Sequence, residues 1–356
     1  MTATYAIESA LTLEDLLDEA RRRIEVTPAE LDEARKRRRA IAAALLREFP
    51  GSRIYVNGSV AHGDALTPLT DIDLGVVVAE ATTTHGPGKR GPRDLKDRAA
   101  RAIRRELKEE YGDLAVEVEG RKRSILVRFR DPVAPGLPDF TADVIVAIDN
   151  TTGAGLYIPR YDTWDRSDPE THTRMVLAAI ASSRVAYARI VRLLKHWSRR
   201  HDRPLCSWHI KALALASLTQ PIDLVPGLLA WFRHAAAELA VTETPDPAGV
   251  APHPIKTNKP RTELVRILRD AADRLDRAIE LETAGYPTLA HDELAKLFND
   301  EDMLPRPDAD AVRMEEAARI RGERAKDSTR TGAPALLTGV GAGADRPRRN
   351  VRSWAP

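Results

Sequence analysis

The apolar pattern of the chain changes near residue 165, and this change limits the folds that the chain can adopt. After it, helical periodicity extends from Asp168-Pro169-Glu170 to about residue 324. Before it, apolar runs of strand length surround one or two helical stretches. Those runs lie at residues 54–56, 71–78, 114–119, 124–130 and 141–148. Clustered strands predict an α+β fold, in which a mixed sheet with helices precedes an all-α second lobe.

This pattern divides the chain into three predicted regions. Residues 1–165 form the sheet-containing lobe with an N-terminal helix, residues 166–325 form the helical lobe, and residues 326–356 form a tail. The N-terminal helix begins at a capping box, Thr27-Pro28-Ala29-Glu30, and extends to about Phe49. The tail is rich in glycine and basic residues and has no long apolar period, which predicts disorder.

Two basic segments leave alternatives open. The run at residues 35–39 of the N-terminal helix is either a solvated helix face or a polyanion-binding surface. The end of the tail, residues 350–356, is either a disordered terminus or a peptide that a partner protein binds.

Overall composition excludes several classes of protein. The chain has 356 residues and a formal net charge of +2, so no general attraction to nucleic acid is expected. No apolar run approaches the ~18 residues of a membrane span, and no signal-peptide pattern is present at the N-terminus. The single cysteine, Cys206, excludes internal disulfides and a zinc site built on clustered cysteines. We therefore expect a cytoplasmic protein.

Two carboxylates, Asp71 and Asp73, stand at the start of a strongly apolar strand. The two-residue period of a strand points both to one face, while Ile72 points into the core. Carboxylates this close repel each other unless a cation lies between them. Bound Mg²⁺ would remove the conflict, and two-metal phosphoryl-transfer sites place such ions ~3.5–4 Å apart. The alternative is a pair of solvated acids on an edge strand.

Two further features accompany the acid pair. Gly58-Ser59 follows a strand and precedes a short predicted helix, where backbone amides and a hydroxyl can bind phosphate oxygens. Asp143 lies in an otherwise apolar strand, where a carboxylate is costly to bury unless it is paired or binds a metal. An ordinary strand-to-helix turn would use the same Gly-Ser pair.

The segment from Gly58 to Asp64, followed by Thr70-Asp71-Ile72-Asp73-Leu74, resembles the signature of DNA-polymerase-β-type nucleotidyltransferases. The resemblance implies two Mg²⁺ ions, or Mn²⁺, as cofactors. Asp71 and Asp73 would bind both ions, and Asp143 would bind one and help activate the attacking hydroxyl. Gly58 and Ser59 would contact the triphosphate. The family usually has Thr after its second glycine, where this chain has Asp64.

The helical region extends the resemblance to bacterial CD-NTases, relatives of cyclic GMP-AMP synthase and oligoadenylate synthase. The matching segments are Arg192-Leu193-Leu194-Lys195-His196-Trp197 and Cys206-Ser207-Trp208-His209-Ile210-Lys211. The resemblance implies that Lys195 and Ser207 bind the donor triphosphate and that Trp208 stacks on a base. Lys211, four residues after Ser207, could add a positive charge. The alternatives are a surface lysine at Lys195, a plain helix cap at Ser207 and a core tryptophan at Trp208.

The resemblance implies an enzyme that joins nucleoside triphosphates into a cyclic di- or trinucleotide and releases pyrophosphate. It also implies a role in bacterial antiphage (CBASS) signalling, in which the product activates a separate effector. Activation by duplex DNA through a zinc insertion is not expected, because the cysteines for it are absent. The first rival hypothesis is a nucleotidyltransferase that modifies an RNA, as CCA-adding enzymes do, or a protein or small-molecule acceptor. The second rival is a non-catalytic nucleotide-binding or scaffold protein, in which Asp71→Asn would leave function intact.

Overall fold

The computed structural model describes residues 11–330. Their helices are α1 (Leu13–Arg23), α2 (Pro28–Glu48), α3 (Gly58–Ala61), α4 (Arg93–Leu107), α5 (Pro169–Ser182), α6 (Ala186–Arg200), α7 (Ser207–Ser217), α8 (Leu224–Val241), α9 (Arg261–Thr283), α10 (Pro287–Phe298) and α11 (Ala309–Arg330). Their strands are β1 (Arg53–Asn57), β2 (Asp71–Val77), β3 (Ala115–Glu117), β4 (Ile125–Arg128), β5 (Thr141–Asp149), β6 (Leu156–Arg160) and β7 (Thr163–Ser167).

The strands form one mixed sheet, in the order β1-β2-β5-β4-β3, with β6 pairing with both β5 and β7. Only β2 and β5 pair in parallel; the other pairs are antiparallel. Helices α2 and α4 cover one face of this sheet, and their apolar side chains share a core with it. The helices from α5 onward follow the last strand. The predicted α+β fold with a helical second lobe is therefore confirmed.

Helix α1 departs from the predicted division of the chain. Its apolar residues, such as Leu13 and Leu17, pack into the core of the helical lobe rather than that of the sheet. Glu14 in α1 accepts hydrogen bonds from the backbone amides of Leu224 and Val225, at the start of α8. From α1, which packs against the helical lobe, the chain therefore crosses to the sheet and later returns to the helical lobe. Residues 1–165 do not form a single packed body.

Three other boundaries differ from the predictions. The hairpin of β6 and β7 was not predicted, and β7 ends at Ser167, beyond the expected boundary at 165. Residues 326–330 belong to helix α11 rather than to a disordered tail, and the rest of the tail, with its candidate docking peptide, lies outside the described residues. His85, in the loop before α4, is buried and hydrogen-bonds to Asp94. No helix within residues 11–330 has the length and apolar character to cross a bilayer.

The basic run at residues 35–39 contains one buried arginine. Arg37 is 1% exposed, and its guanidinium donates to Glu33 Oε1 at 2.7 Å and to the backbone oxygen of Asp131 at 2.6 Å. The same group lies 4.8 Å and 4.7 Å from the ring centroids of Phe129 and Phe140. Arg37 therefore ties α2 to the sheet and is not available to a polyanion.

Two neighbours in this run also have partners. Arg35 pairs with Asp32 at 3.1 Å, and Lys36 pairs with Glu110 at 2.6 Å. Both of these pairs are solvent-exposed. These contacts favour a solvated helix face with one structural arginine over a polyanion-binding surface.

We expect Arg37→Ala to lower the free energy of unfolding by about 3 kcal/mol, because it leaves a void among the aromatic rings and removes the hydrogen bonds of a buried guanidinium. Arg35→Ala, which removes only an exposed pair, should cost less than about 1 kcal/mol. Urea denaturation of both variants measures the difference. Equal effects would show that Arg37 is no more structural than its neighbour.

Candidate active site

Backbone register brings the predicted catalytic residues together. Asn57, at the end of β1, is paired with Asp73 of β2, and Asp73 is paired with Asp143 of β5. In this face of the sheet, the two-residue period also places Asp71 beside Asp73. The turn into α3 begins at Gly58, directly after Asn57. The Gly-Ser turn and all three acids therefore meet at one end of three adjacent strands.

Gly58 is required at its position for two reasons. Its φ is +80°, in the left-handed region. A Cβ built on it would lie 1.9 Å from Oδ2 of Asp73, so a side chain here would displace that carboxylate. The glycine therefore allows the turn to approach the acid pair closely.

The acids differ in their surroundings. Asp71 and Asp143 are exposed, whereas Asp73 is partly covered. Burial, followed by the repulsion of Asp71 and Asp143, raises the pKa of Asp73 to about 7. Ser124 donates a hydrogen bond of 2.7 Å to Oδ1 of Asp143 and so orients the third carboxylate.

A divalent cation fits the chemistry of this group. Burial and the two neighbouring carboxylates raise the pKa of Asp73, and hard oxygen ligands are those that Mg²⁺ prefers. Within the described part of the chain, no three His, Cys, Asp or Glu side chains stand in complete metal-binding geometry. Asp71, Asp73 and Asp143 are nonetheless the residues here that would bind such an ion.

A cavity of about 1040 Å³ opens next to the acid pair and extends to the helical lobe. Its lining includes every predicted site residue except Asp143, which stands beside Asp73 in the sheet. These lining residues are Gly58, Ser59, Asp71, Asp73, Lys195, Ser207, Trp208 and Lys211. The sequence motifs of both lobes therefore converge on one cavity.

Lys195 and Lys211 are not the surface lysines of the alternative interpretation. Each is 4% exposed, and both contact the carboxylate of Asp64, which is fully buried. Lys195 Nζ lies 2.7 Å from Oδ1 of Asp64, and Lys211 Nζ lies 2.9 Å from Oδ2. Burial lowers the pKa of Lys195, against the opposing effect of Asp64.

The start of α7 differs in detail from the prediction. Ser207 is the first residue of the helix rather than its cap; Cys206 is the N-cap, and its side chain makes no capping hydrogen bond. The Ser207 side chain is exposed toward the cavity. Trp208 is half-buried against the helical core, and its ring centroid lies 4.3 Å from that of His172. His172 in turn bonds to Asp246 at 2.5 Å.

Comparison with protein families identifies the sheet region. Residues 38–143 match the model of the nucleotidyltransferase domain, and this segment contains the Gly-Ser turn and all three acids. The chain carries a nucleotidyltransferase domain. No curated protein matches the chain by sequence.

Solved structures of bacterial CD-NTases share the fold of this nucleotidyltransferase. The Escherichia coli MS115-1 CdnC:HORMA-deltaN complex is 18% identical over 82% of this chain and 98% of that chain, with a TM-score of 0.60. Bradyrhizobium diazoefficiens CdnG with GTP is 16% identical over 82% and 99%, with a TM-score of 0.57. Vibrio cholerae DncV, a cyclic AMP-GMP synthase with the linear intermediate 5′ pppA(3′,5′)pG, is 15% identical over 81% and 86%, with a TM-score of 0.52. The two-lobe CD-NTase fold is thus confirmed.

Several cavity residues of this nucleotidyltransferase were missed in the sequence. Arg199 lies one helical turn after Lys195, and that spacing was an available signal. The contact of His172 with Trp208 depends on tertiary structure. Cationic residues also line the cavity from the opposite lobe, in the β6–β7 hairpin and before β4. They are Lys122, Arg123, Arg160 and Arg166.

We expect Gly58→Ala to reduce nucleotidyl transfer by about 100-fold or more, because it displaces Asp73. Gly63→Ala is the matched control, since Gly63 also has positive φ but has nothing within 4 Å of an added Cβ. Turnover of both variants, compared after each is shown to be folded by circular dichroism, measures the difference. Equal losses would mean that backbone strain, not the collision with Asp73, is responsible.

Proposed function

We propose that this nucleotidyltransferase joins nucleoside triphosphates into a cyclic di- or trinucleotide and releases pyrophosphate. The observation that carries the proposal is the single cavity, which connects the acids of the sheet with the lysines and Ser207 of the helical lobe. Its volume is at the upper end of that of small-molecule sites, which suits a donor and an acceptor nucleotide together.

The residues divide the proposed reaction between them. Ser59, at the start of α3, and the paired lysines would bind the donor triphosphate, so that its α-phosphate lies near Asp71 and Asp73. Asp143, oriented by Ser124, would face the attacking hydroxyl and accept its proton through its free oxygen. Bound Mg²⁺ or Mn²⁺ would supply charge neutralisation at the α-phosphate and at the leaving pyrophosphate. The cavity walls would align the two nucleotides for in-line attack.

The structural relatives support the proposal by what they contain. CdnG is seen with GTP, and DncV is seen with a linear dinucleotide intermediate. CdnC is seen in a complex with HORMA-deltaN, which suggests a protein partner for this chain as well. A signalling role against phage, with a separate effector for the product, belongs to the same proposal and rests on the sequence resemblance.

Incubation with labelled ATP, GTP, CTP and UTP and Mg²⁺, without an added acceptor, tests the proposed reaction. We expect a small product that resists phosphatase, because a cyclic nucleotide has no terminal phosphate. Asp71→Asn combined with Asp73→Asn should lower its yield by about 100-fold or more. The double variant would lack the carboxylates proposed to bind the metal ion, so the charge at the reacting phosphate would not be neutralised. Asp149→Asn, at the far end of β5 from Asp143, is the control that should retain activity.

Repeating the assay with added RNA and protein separates the proposal from its rival. Label that appears in RNA or protein, and not in a free oligonucleotide, would contradict cyclase activity and support transfer to an acceptor. The buried and paired residues of α2 give little support to RNA binding.

Metal dependence gives a second test. We expect chelation by EDTA to abolish turnover and added Mg²⁺ to restore it. Because the pKa of Asp73 is about 7 without a cation, protons should compete with the metal as the pH falls below 7. The Mg²⁺ concentration for half-maximal activity should therefore rise from pH 8 to pH 6. A constant requirement across this range would argue against Asp73 as a metal ligand.

A further inference from the structure

Asp64 is the one position of the Gly-Ser signature at which this chain departs from the usual residue. The structure places it in the loop after α3, fully buried between the two lobes. Burial raises the pKa of its carboxyl, but Lys211 and Lys195 together outweigh that effect and lower it below its usual value. Asp64 is therefore an anion with two cationic partners from the helical lobe.

The lysines share this carboxylate in an ordered way. Lys195 Nζ donates to Oδ1 of Asp64 at 2.7 Å and to the backbone oxygen of the same residue at 2.7 Å. Lys211 Nζ contacts Oδ2 of Asp64 at 2.9 Å and His62 Nδ1 at 2.8 Å. An ammonium group has three N–H donors. Lys195 uses two of them, and Lys211 uses one for His62 and forms an ion pair with Asp64, so each lysine retains at least one.

His62 is able to accept from Lys211 because it is neutral. Burial, followed by the charge of Lys211, lowers the pKa of His62 to about 3. With Nδ1 as the acceptor, Nε2 carries the proton and donates to Thr173 Oγ1 at 3.2 Å. The Thr173 hydroxyl donates in turn to the backbone oxygen of Val56 in β1. The second donor of Lys211 is thus fixed by a chain of bonds that ends in the sheet.

Asp64 stands behind the lysines with respect to the cavity. Lys195 and Lys211 line the cavity, whereas Asp64 does not. Arg192 closes the far side of the loop by donating to the backbone oxygens of Gly63 and Ala65. A ligand in the cavity would therefore meet the ammonium groups first, and the carboxylate would hold them from behind.

We propose that Asp64 is a positioning residue that holds Lys195 and Lys211 side by side, so that the remaining N–H of each is directed to the same triphosphate. The inference rests on the proposed use of a nucleoside triphosphate at this site. Without the carboxylate, two like charges would lie close together in a buried place, and the side chains would separate or one would lose its proton. In either case the two donors would no longer converge on one anion.

Calorimetric binding of inorganic tripolyphosphate tests the inference. We expect Asp64→Asn, which keeps the shape but removes the charge, to raise the dissociation constant about ten-fold, the effect of one charge-assisted hydrogen bond. Asp64→Thr, which restores the residue usual at this position, should behave in the same way. Asp32→Asn, an exposed acid on α2, should leave the constant unchanged.

A double-mutant cycle separates positioning from a general structural effect. In a Lys211→Gln background only one ammonium group remains to be placed, so Asp64→Asn should change the dissociation constant by at most about two-fold. Fully additive effects, or binding by Asp64→Asn as tight as that of the wild type, would overturn the proposal. Tighter binding by Asp64→Asn than by the wild type would mean that Asp64 only competes with the ligand for the lysines, and it would overturn the proposal too.

Two further outcomes keep the test decisive. If neither Asp64 variant folds, we expect Lys195→Gln and Lys211→Gln each to weaken tripolyphosphate binding. Unchanged binding in either lysine variant would overturn the inference. Binding requires no turnover, so a protein that behaves as expected here but makes no oligonucleotide would contradict the proposed function and not the role of Asp64.

Discussion

The parallel pairing of β2 with β5 is the constraint on which the site depends. It sets Asp73 opposite Asp143, while the antiparallel pairing with β1 sets Asn57, and hence the Gly-Ser turn, on the other side. A slip of one residue would send a carboxylate to the opposite face. Alternate residues such as Ile72 and Val144 are buried beneath α2 and α4, which makes that slip costly. Apolar packing on one face thus positions charged groups on the other.

The parts of the structure that local sequence determines were predictable. The capping box at Thr27 and the acids at the start of β2 follow from spacing and apolar period alone. The β6–β7 hairpin was missed because β7 is the short polar sequence Thr163–Ser167, which has no apolar alternation. Helix α1 was not predicted at all, and its amphipathic sequence would not have specified which core it covers.

The environment of Lys195 could not be predicted for a similar reason. A lysine beside an apolar helix face reads as an exposed residue, and its partner Asp64 is 131 residues away in the chain. Only tertiary structure shows that this carboxylate is buried and forms ion pairs with two lysines. The two lysines also explain why Asp64 is tolerated in the loop after α3, where its charge would otherwise be buried without compensation. Lys195 and Lys211 thus both line the cavity and join the two lobes.

The excursion of the chain from α1 into the sheet and back has a mechanical consequence. The lobes are joined covalently at two places, after Arg23 and after Ser167, rather than by a single linker. Two bodies fixed at two points can rotate only about the line through those points. Any relative motion of the lobes therefore has to accommodate both connections, whereas a single linker would restrict it less.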